Sequence, residues 1–175
     1  PTSVIQVMEA PEIPQPVLDE QSLLVELYKH VNPSVVNITT YGLQSGDLIG
    51  LSQGSGVVFD ELGHVVTNAH VVQGASAIDI SFSDGTIKEA EVIGEDLNSD
   101  LAVLQVSDMP AGILPLPLGN IEAVQVGQTV LAIGNPFGLN GTMTLGIISA
   151  LGRTQESNRE ATSGGNFSVA DMIQT

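Results

Sequence analysis

From residue 34 onward, apolar side chains recur at every second position in short runs closed by turn formers. One earlier stretch instead repeats at helical spacing. Over residues 20–31, Leu23, Leu24, Leu27, Tyr28 and Val31 fall on one face, with Asp19 placed to cap the start and Asn32-Pro33 to stop it. "SVVNITTY" (34–41) then reads as a strand, followed by a polar, glycine-containing loop through Gln53. "GSGVVFDELGHVVTN" reads as a hairpin, with strands at 55–59 and 64–67 joined around Asp60 to Gly63. "AIDISFSDGTIKEAEVIGE" reads as a second hairpin turning at Asp84-Gly85, and "DLAVLQV" (100–106) as a further strand. No helix of crossover length separates these strands, so the pattern predicts a closed barrel or a sandwich rather than a parallel sheet.

The remaining stretches set the organisation. Residues 1–18 hold four prolines and no period, and read as an extended linker. "PAGILPLPLGN" (110–120) breaks the strand pattern with three prolines and reads as a connection between two β units. "QTVLAIGNP" and "GTMTLGIISALG" resume it. Residues 152–168 read as a long polar loop before a final "VADMIQT". The expected division is a linker at 1–18, a helix and first β unit at 19–109, a connection at 110–120 and a second β unit at 121–175.

Composition supports the β reading and narrows the partners. Charged residues make up only 14% of the chain against 42% hydrophobic, with 19 glycines and 9 prolines, which favours strands and turns over a helical bundle. The net charge is −16, and the only cations are Lys29, Lys88, Arg153 and Arg159. Four scattered cations cannot form the basic surface that nucleic acid or an anionic membrane requires, so neither is expected as a partner. The absence of cysteine excludes disulfides, thiolate metal sites and a cysteine nucleophile. No run approaches the ~18 apolar residues of a membrane span. The chain begins with Pro rather than Met and carries no leader, which gives the expectation that something upstream has been removed.

Candidate chemistry centres on "GHVVTNAHVV" (63–72), a short apolar strand ending in small and polar residues around His70. Histidine takes and returns a proton near neutral pH, and a strand end can aim its ring into a cleft. Thirty residues on, "NSDLAVL" places Asp100 at the entry of another strand, where its carboxylate could fix the imidazole's tautomer. The plain alternative is a structural histidine and a turn-forming aspartate. His30 closes the helix, where its charge suits the dipole, and His64 faces out of a hairpin strand. The three histidines show no clustered spacing, so neither a zinc site nor any other metal or cofactor is expected.

"GSGVVFDELGHVVTNAHVV", "ISFSDGTIKEAEVIGEDLNSDLAVLQV" and "VGQTVLAIGNPFGLNGTMTLGIISALGR" closely resemble the HtrA/Deg family of trypsin-like serine proteases. The resemblance runs from the helix near residue 20 to the last residue. It implies an all-β, chymotrypsin/trypsin-like double β-barrel with one short amino-terminal helix, the second barrel incomplete in this chain. "TNAHVV" matches the family's general-base motif at His70, and "NSDLAVL" the motif of the orienting aspartate at Asp100. The nucleophile's "GNSGG" motif normally follows the "IQT" strand and is absent from these 175 residues. Ser163, in "TSGG", aligns with a loop preceding that strand, so no nucleophile is assigned here. The resemblance further implies polypeptide substrates, protein quality control, a homotrimer built on amino-terminal residues such as "VIQVM", and a possible PDZ domain downstream. It also implies a periplasmic or other extracytoplasmic location, tethered by an upstream anchor. A non-catalytic binding or chaperone-like fragment of the same fold, and an unrelated β-sandwich module, are the alternatives.

Overall fold

In a computed structural model, residues 15–135, 141–160 and 166–175 are described, with side chains for residues 19–154 of these and for 171–175. The chain opens with helix α1 (Gln15–Val31). This helix starts earlier than the apolar period indicates, within the stretch read as linker. Pro16 sits in its first turn, where the missing N–H would have no partner anyway, and Asp19 therefore lies inside the helix rather than at its cap. Asn32-Pro33 ends it in a single 3-10 turn.

Six strands follow: β1 (Val35–Gln44), β2 (Asp47–Val58), β3 (His64–Thr67), β4 (Ala77–Ser81), β5 (Ile87–Asp96) and β6 (Leu101–Val106). They close into an antiparallel barrel in the order β1-β2-β3-β6-β5-β4. The polar loop expected through Gln53 is instead the far end of a long β1–β2 hairpin, turning at Ser45-Gly46. The apolar residues of that end, Leu43, Leu48, Ile49 and Leu51, are exposed, so it is held by backbone pairing rather than by burial.

The barrel's inward positions form one core that includes Val36, Ile38, Val58, Val65, Phe82 and Leu104. Its walls approach closely at two glycines of β2. A Cβ on Gly56 would stand 2.8 Å from both Ile38 and Val65, and one on Gly54 would stand 2.6 Å from Val71. Gly54 thereby lets the short helix α2 (Ala69–Val72), which follows β3, lie directly on the barrel wall.

The segment 110–120 contains no strand or helix. Beyond it lie β7 (Thr129–Gly134), β8 (Thr142–Ile147), β9 (Ala150–Glu160) and β10 (Asn166–Gln174). β7 pairs with β8 and β9 with β10, giving two separate two-stranded sheets. The long polar loop expected over 152–168 is thus largely strand; residues 161–165, which include Ser163, lie outside the described residues. The β7–β8 unit is tied back to the rest of the chain by polar contacts. Ser55 Oγ accepts from the Asn135 N–H at 2.8 Å, Asn135 Oδ1 accepts from the Gly141 N–H at 2.7 Å, and Tyr28 donates to the Gly141 carbonyl at 2.7 Å.

Gly63 holds the turn between β2 and β3 at φ +91°, and a Cβ there would collide with the Val106 carbonyl of β6. Replacing it forces both a left-handed backbone and a steric shift. Gly63→Ala is expected to lower unfolding free energy by about 1–3 kcal/mol, read as a lower urea midpoint at unchanged slope.

Turn carboxylates contribute to the acid limb of stability. Asp60, Asp84, Asp96 and Asp108 are all held below the usual carboxylate range, chiefly by hydrogen bonds from the His64 side chain, the Thr86 backbone, the Ser99 hydroxyl and the Lys88 ammonium respectively. A carboxylate depressed in the folded state stabilises it above the unfolded value and loses that contribution as pH falls through the folded one. The urea midpoint is therefore expected to drop as pH is lowered below about 4, near the unperturbed aspartate value. Asp60→Asn is expected to lower the midpoint at neutral pH and to flatten this acid limb.

Candidate active site

His70 and Asp100, thirty residues apart, meet at the end of the barrel where β3 and β6 run side by side. Asp100 immediately precedes β6, and His70 is the second residue of α2, three residues past β3. The antiparallel register of the two strands, from His64↔Gln105 to Thr67↔Ala102, brings the exit of one against the entry of the other. The Ala69 N–H extends that pairing by donating to the Asp100 carbonyl at 3.1 Å.

The carboxylate of Asp100 is used on both oxygens. Oδ2 lies 2.7 Å from His70 Nδ1, and Oδ1 accepts from the His70 backbone N–H at 2.9 Å. Asn68 Nδ2 adds a bond to the Asp100 carbonyl at 3.0 Å and a longer one to Oδ2 at 3.3 Å. An ionised carboxylate can only accept, so the ring proton sits on Nδ1 and the lone pair on Nε2. The imidazole is half-exposed, at 52% for its side chain, and so remains open to a reacting group.

The backbone at Asp100 is unusual. Its φ is +54°, in the left-handed region where only Asn and Asp are common among residues other than glycine. That conformation turns the carboxylate back over α2 instead of along β6. The cost, on the order of 1–3 kcal/mol for such a residue, is borne where the geometry of a functional group is at stake.

A second His–Asp contact lies elsewhere on the barrel. His64 Nδ1 is 2.5 Å from Asp60 Oδ2, and Asp60 Oδ1 also accepts from the Leu62 and His64 N–H groups within the same turn. This pair is local and less exposed, and it closes the β2–β3 turn. His30 lies in the last turn of α1. Among the described residues no group of three or more His, Cys, Asp or Glu converges as a metal-ligand set.

Two supporting residues escape the pattern reading. Asn68 looks like an N-cap for α2 but makes no capping bond and serves Asp100 instead. Gly54 sets how closely α2 packs, and with it the position of His70. The strand-end "TNAH" motif carries the first signal, and "GSG" hints at the second only as a close backbone approach. The hydrogen bonds of His70 among the described residues run to Asp100, and Ser163 lies outside them.

Comparison with known proteins gives the family. The profile of the trypsin-like peptidase domain matches residues 54–174. Protease Do-like 1, chloroplastic, of Arabidopsis thaliana is 39% identical over 168 residues, covering 93% of this chain and 37% of the relative. The periplasmic serine endoprotease DegP of Salmonella typhimurium is 47% identical over 105 residues, covering 59% and 22%. The serine endoprotease DegS of Escherichia coli is 40% identical over 124 residues, covering 69% and 35%. The chain thus spans well under half the length of each of these relatives. With a closed six-stranded barrel, a partial second set of strands and one amino-terminal helix, it has the all-β chymotrypsin-like fold with the second barrel incomplete within these 175 residues. The chain belongs to the trypsin-like peptidases, within their HtrA/Deg serine protease family.

Proposed function

We propose that the protein is a serine endopeptidase acting on unfolded or extended polypeptides, with His70 as general base and Asp100 as its orienting partner. The 2.7 Å contact between His70 Nδ1 and Asp100 Oδ2 carries this reading. In it, Nε2 takes the proton of a serine hydroxyl as that oxygen attacks the scissile carbonyl. The imidazolium so formed is stabilised by the carboxylate and then protonates the leaving amine. The nucleophile and its oxyanion-hole N–H groups are assigned outside these 175 residues, because no serine here has the family's nucleophile context.

The substrate class is part of this reading. The two-stranded sheets β7–β8 and β9–β10 leave strand edges among the described residues, and an extended backbone pairing with such an edge would be recognised largely without regard to side chain, which suits unfolded chains and a role in quality control. An extracytoplasmic location is supported by the periplasmic DegP relative, although the Arabidopsis relative is named as chloroplastic. No described helix is long and apolar enough to cross a membrane.

Assembly as a homotrimer through amino-terminal residues is part of the same reading. Its support is the exposure of Leu23 and Leu27, one turn apart on the same face of α1, which a neighbouring subunit would cover. "VIQVM" lies outside the described residues. Sedimentation velocity of the full-length protein is expected to return a trimer, and a monomer at micromolar concentration would contradict it.

His70→Ala in the full-length protein is expected to abolish labelling by a serine-directed phosphonate and to reduce casein hydrolysis by roughly 10³–10⁴-fold or more. Asp100→Asn should keep the left-handed backbone and the melting temperature, while losing a comparable factor in kcat because the amide stabilises the wrong tautomer. Hydrolysis retained in His70→Ala would remove His70 as the base.

A further inference from the structure

The outer face of the first barrel carries an apolar groove that proteolysis as described leaves unused. β3 and β6 carry apolar residues on both faces. Val65, Ala102, Leu104 and Val106 point into the core, while Val66, Leu101 and Val103 point outward. A barrel wall facing only water would alternate apolar and polar residues. Together with Phe59 at the end of β2 and Ile93 at the β5 bulge, these outward residues line an open groove of about 550 Å³. Phe59 is 46% and Ile93 53% exposed, so nothing among the described residues covers the groove.

Strand register shows how the charges lie around it. Val57, Val66, Val103 and Gly94 are consecutive partners across β2, β3, β6 and β5 and make an apolar row. On one side runs the row His64, Gln105 and Glu91; on the other, Leu101 faces Asp96. Asp60 and Glu61 stand in the turn next to His64. Lys88 is the sole Lys or Arg on these four strands, and it is engaged by Asp108 at 2.6 Å. The groove is therefore an apolar stripe with acidic borders.

We propose that this face docks a cationic amphipathic helix of another polypeptide. The closed barrel gives its strands neighbours on both sides, so a partner cannot add as a strand and must engage through side chains. The groove itself crosses β3, β6 and β5, about 10 Å at ~4.8 Å per strand, which takes roughly two turns of a helix at ~1.5 Å per residue. Apolar residues at helical spacing fill the row, and flanking Lys or Arg meet Glu91, Asp96 and the Asp60–Glu61 turn. A second copy of this chain is a poor fit. Its own helix, α1, offers Leu23 and Leu27 but carries Asp19, Glu20 and Glu26 against a single Lys29, which sets acid against acid.

The test is fluorescence anisotropy of a labelled 14-residue peptide, Leu at helical spacing and Lys elsewhere, against the intact protein. A counterpart peptide with Glu for Lys serves as control. The Lys peptide is expected to saturate at one per chain, to bind at least tenfold more tightly than its counterpart, and to gain helical circular dichroism when bound. Phe59→Ser with Ile93→Ser, both at exposed positions, should weaken binding at least tenfold. Glu91→Lys should weaken it and reduce its salt dependence, whereas Glu122→Lys, the same charge change away from the groove, should leave it unaltered. Equal binding of the Glu peptide, equal loss in Glu122→Lys, or unchanged affinity in the Phe59/Ile93 variant would overturn the proposal. So would self-association that disappears in the Phe59/Ile93 variant.

Discussion

The contact between one carboxylate and one imidazole organises this end of the molecule. Asp100 spends one oxygen on the ring of His70 and the other on the backbone N–H of the same residue, so ring and main chain are fixed together. Neither bond is possible unless the chain reverses sharply before β6, which the left-handed conformation at Asp100 supplies. Nor is it possible unless β3 and β6 are neighbours, a pairing that the closed barrel imposes on strands separated by two others in sequence. The strain at one residue is thus held by the pairing of two strands and the packing of α2 on Gly54.

The described residues include two His–Asp contacts, and their difference is instructive. His64 and Asp60 are four residues apart, are each about 70% buried, and satisfy a turn. His70 and Asp100 are thirty residues apart, and the ring is half-exposed. The same hydrogen-bond chemistry serves turn closure in one place and can serve proton transfer in the other. What separates them is access: a general base needs its second nitrogen turned toward a reacting group, not only a partner on the first.

A run of polar contacts joins the first barrel to the strands that follow it. Ser55, Asn135, Gly141 and Tyr28 link β2, the end of β7, the start of β8 and α1 in sequence. Asn135 is almost fully buried, so its hydrogen bond to Gly141 matters: an unpaired amide at that depth would cost on the order of 1–3 kcal/mol. The amino-terminal helix is therefore connected to the second set of strands as well as to the barrel it precedes.

Period-two patterning was sufficient to place most of β1 and β3 to β8, of which β1, β3, β4 and β6 turn a face into the core, and the "TNAH" and "NSD" motifs singled out His70 and Asp100. It was not sufficient for the far end of the β1–β2 hairpin or for β9 and β10. Those segments pair through cross-strand backbone bonds, and the polar stretch 152–168, which reads as a loop, holds most of β9 and the start of β10. The start of α1 was hidden by Pro16, a residue that breaks a helix in its interior and is accommodated in its first turn. Local sequence thus determined which residues could carry chemistry and which stretches could be strands. Only the tertiary structure decided that His70 meets Asp100 and His64 meets Asp60, because the choice of partner depends on barrel closure and on one left-handed backbone angle, and neither is written in any single stretch of chain.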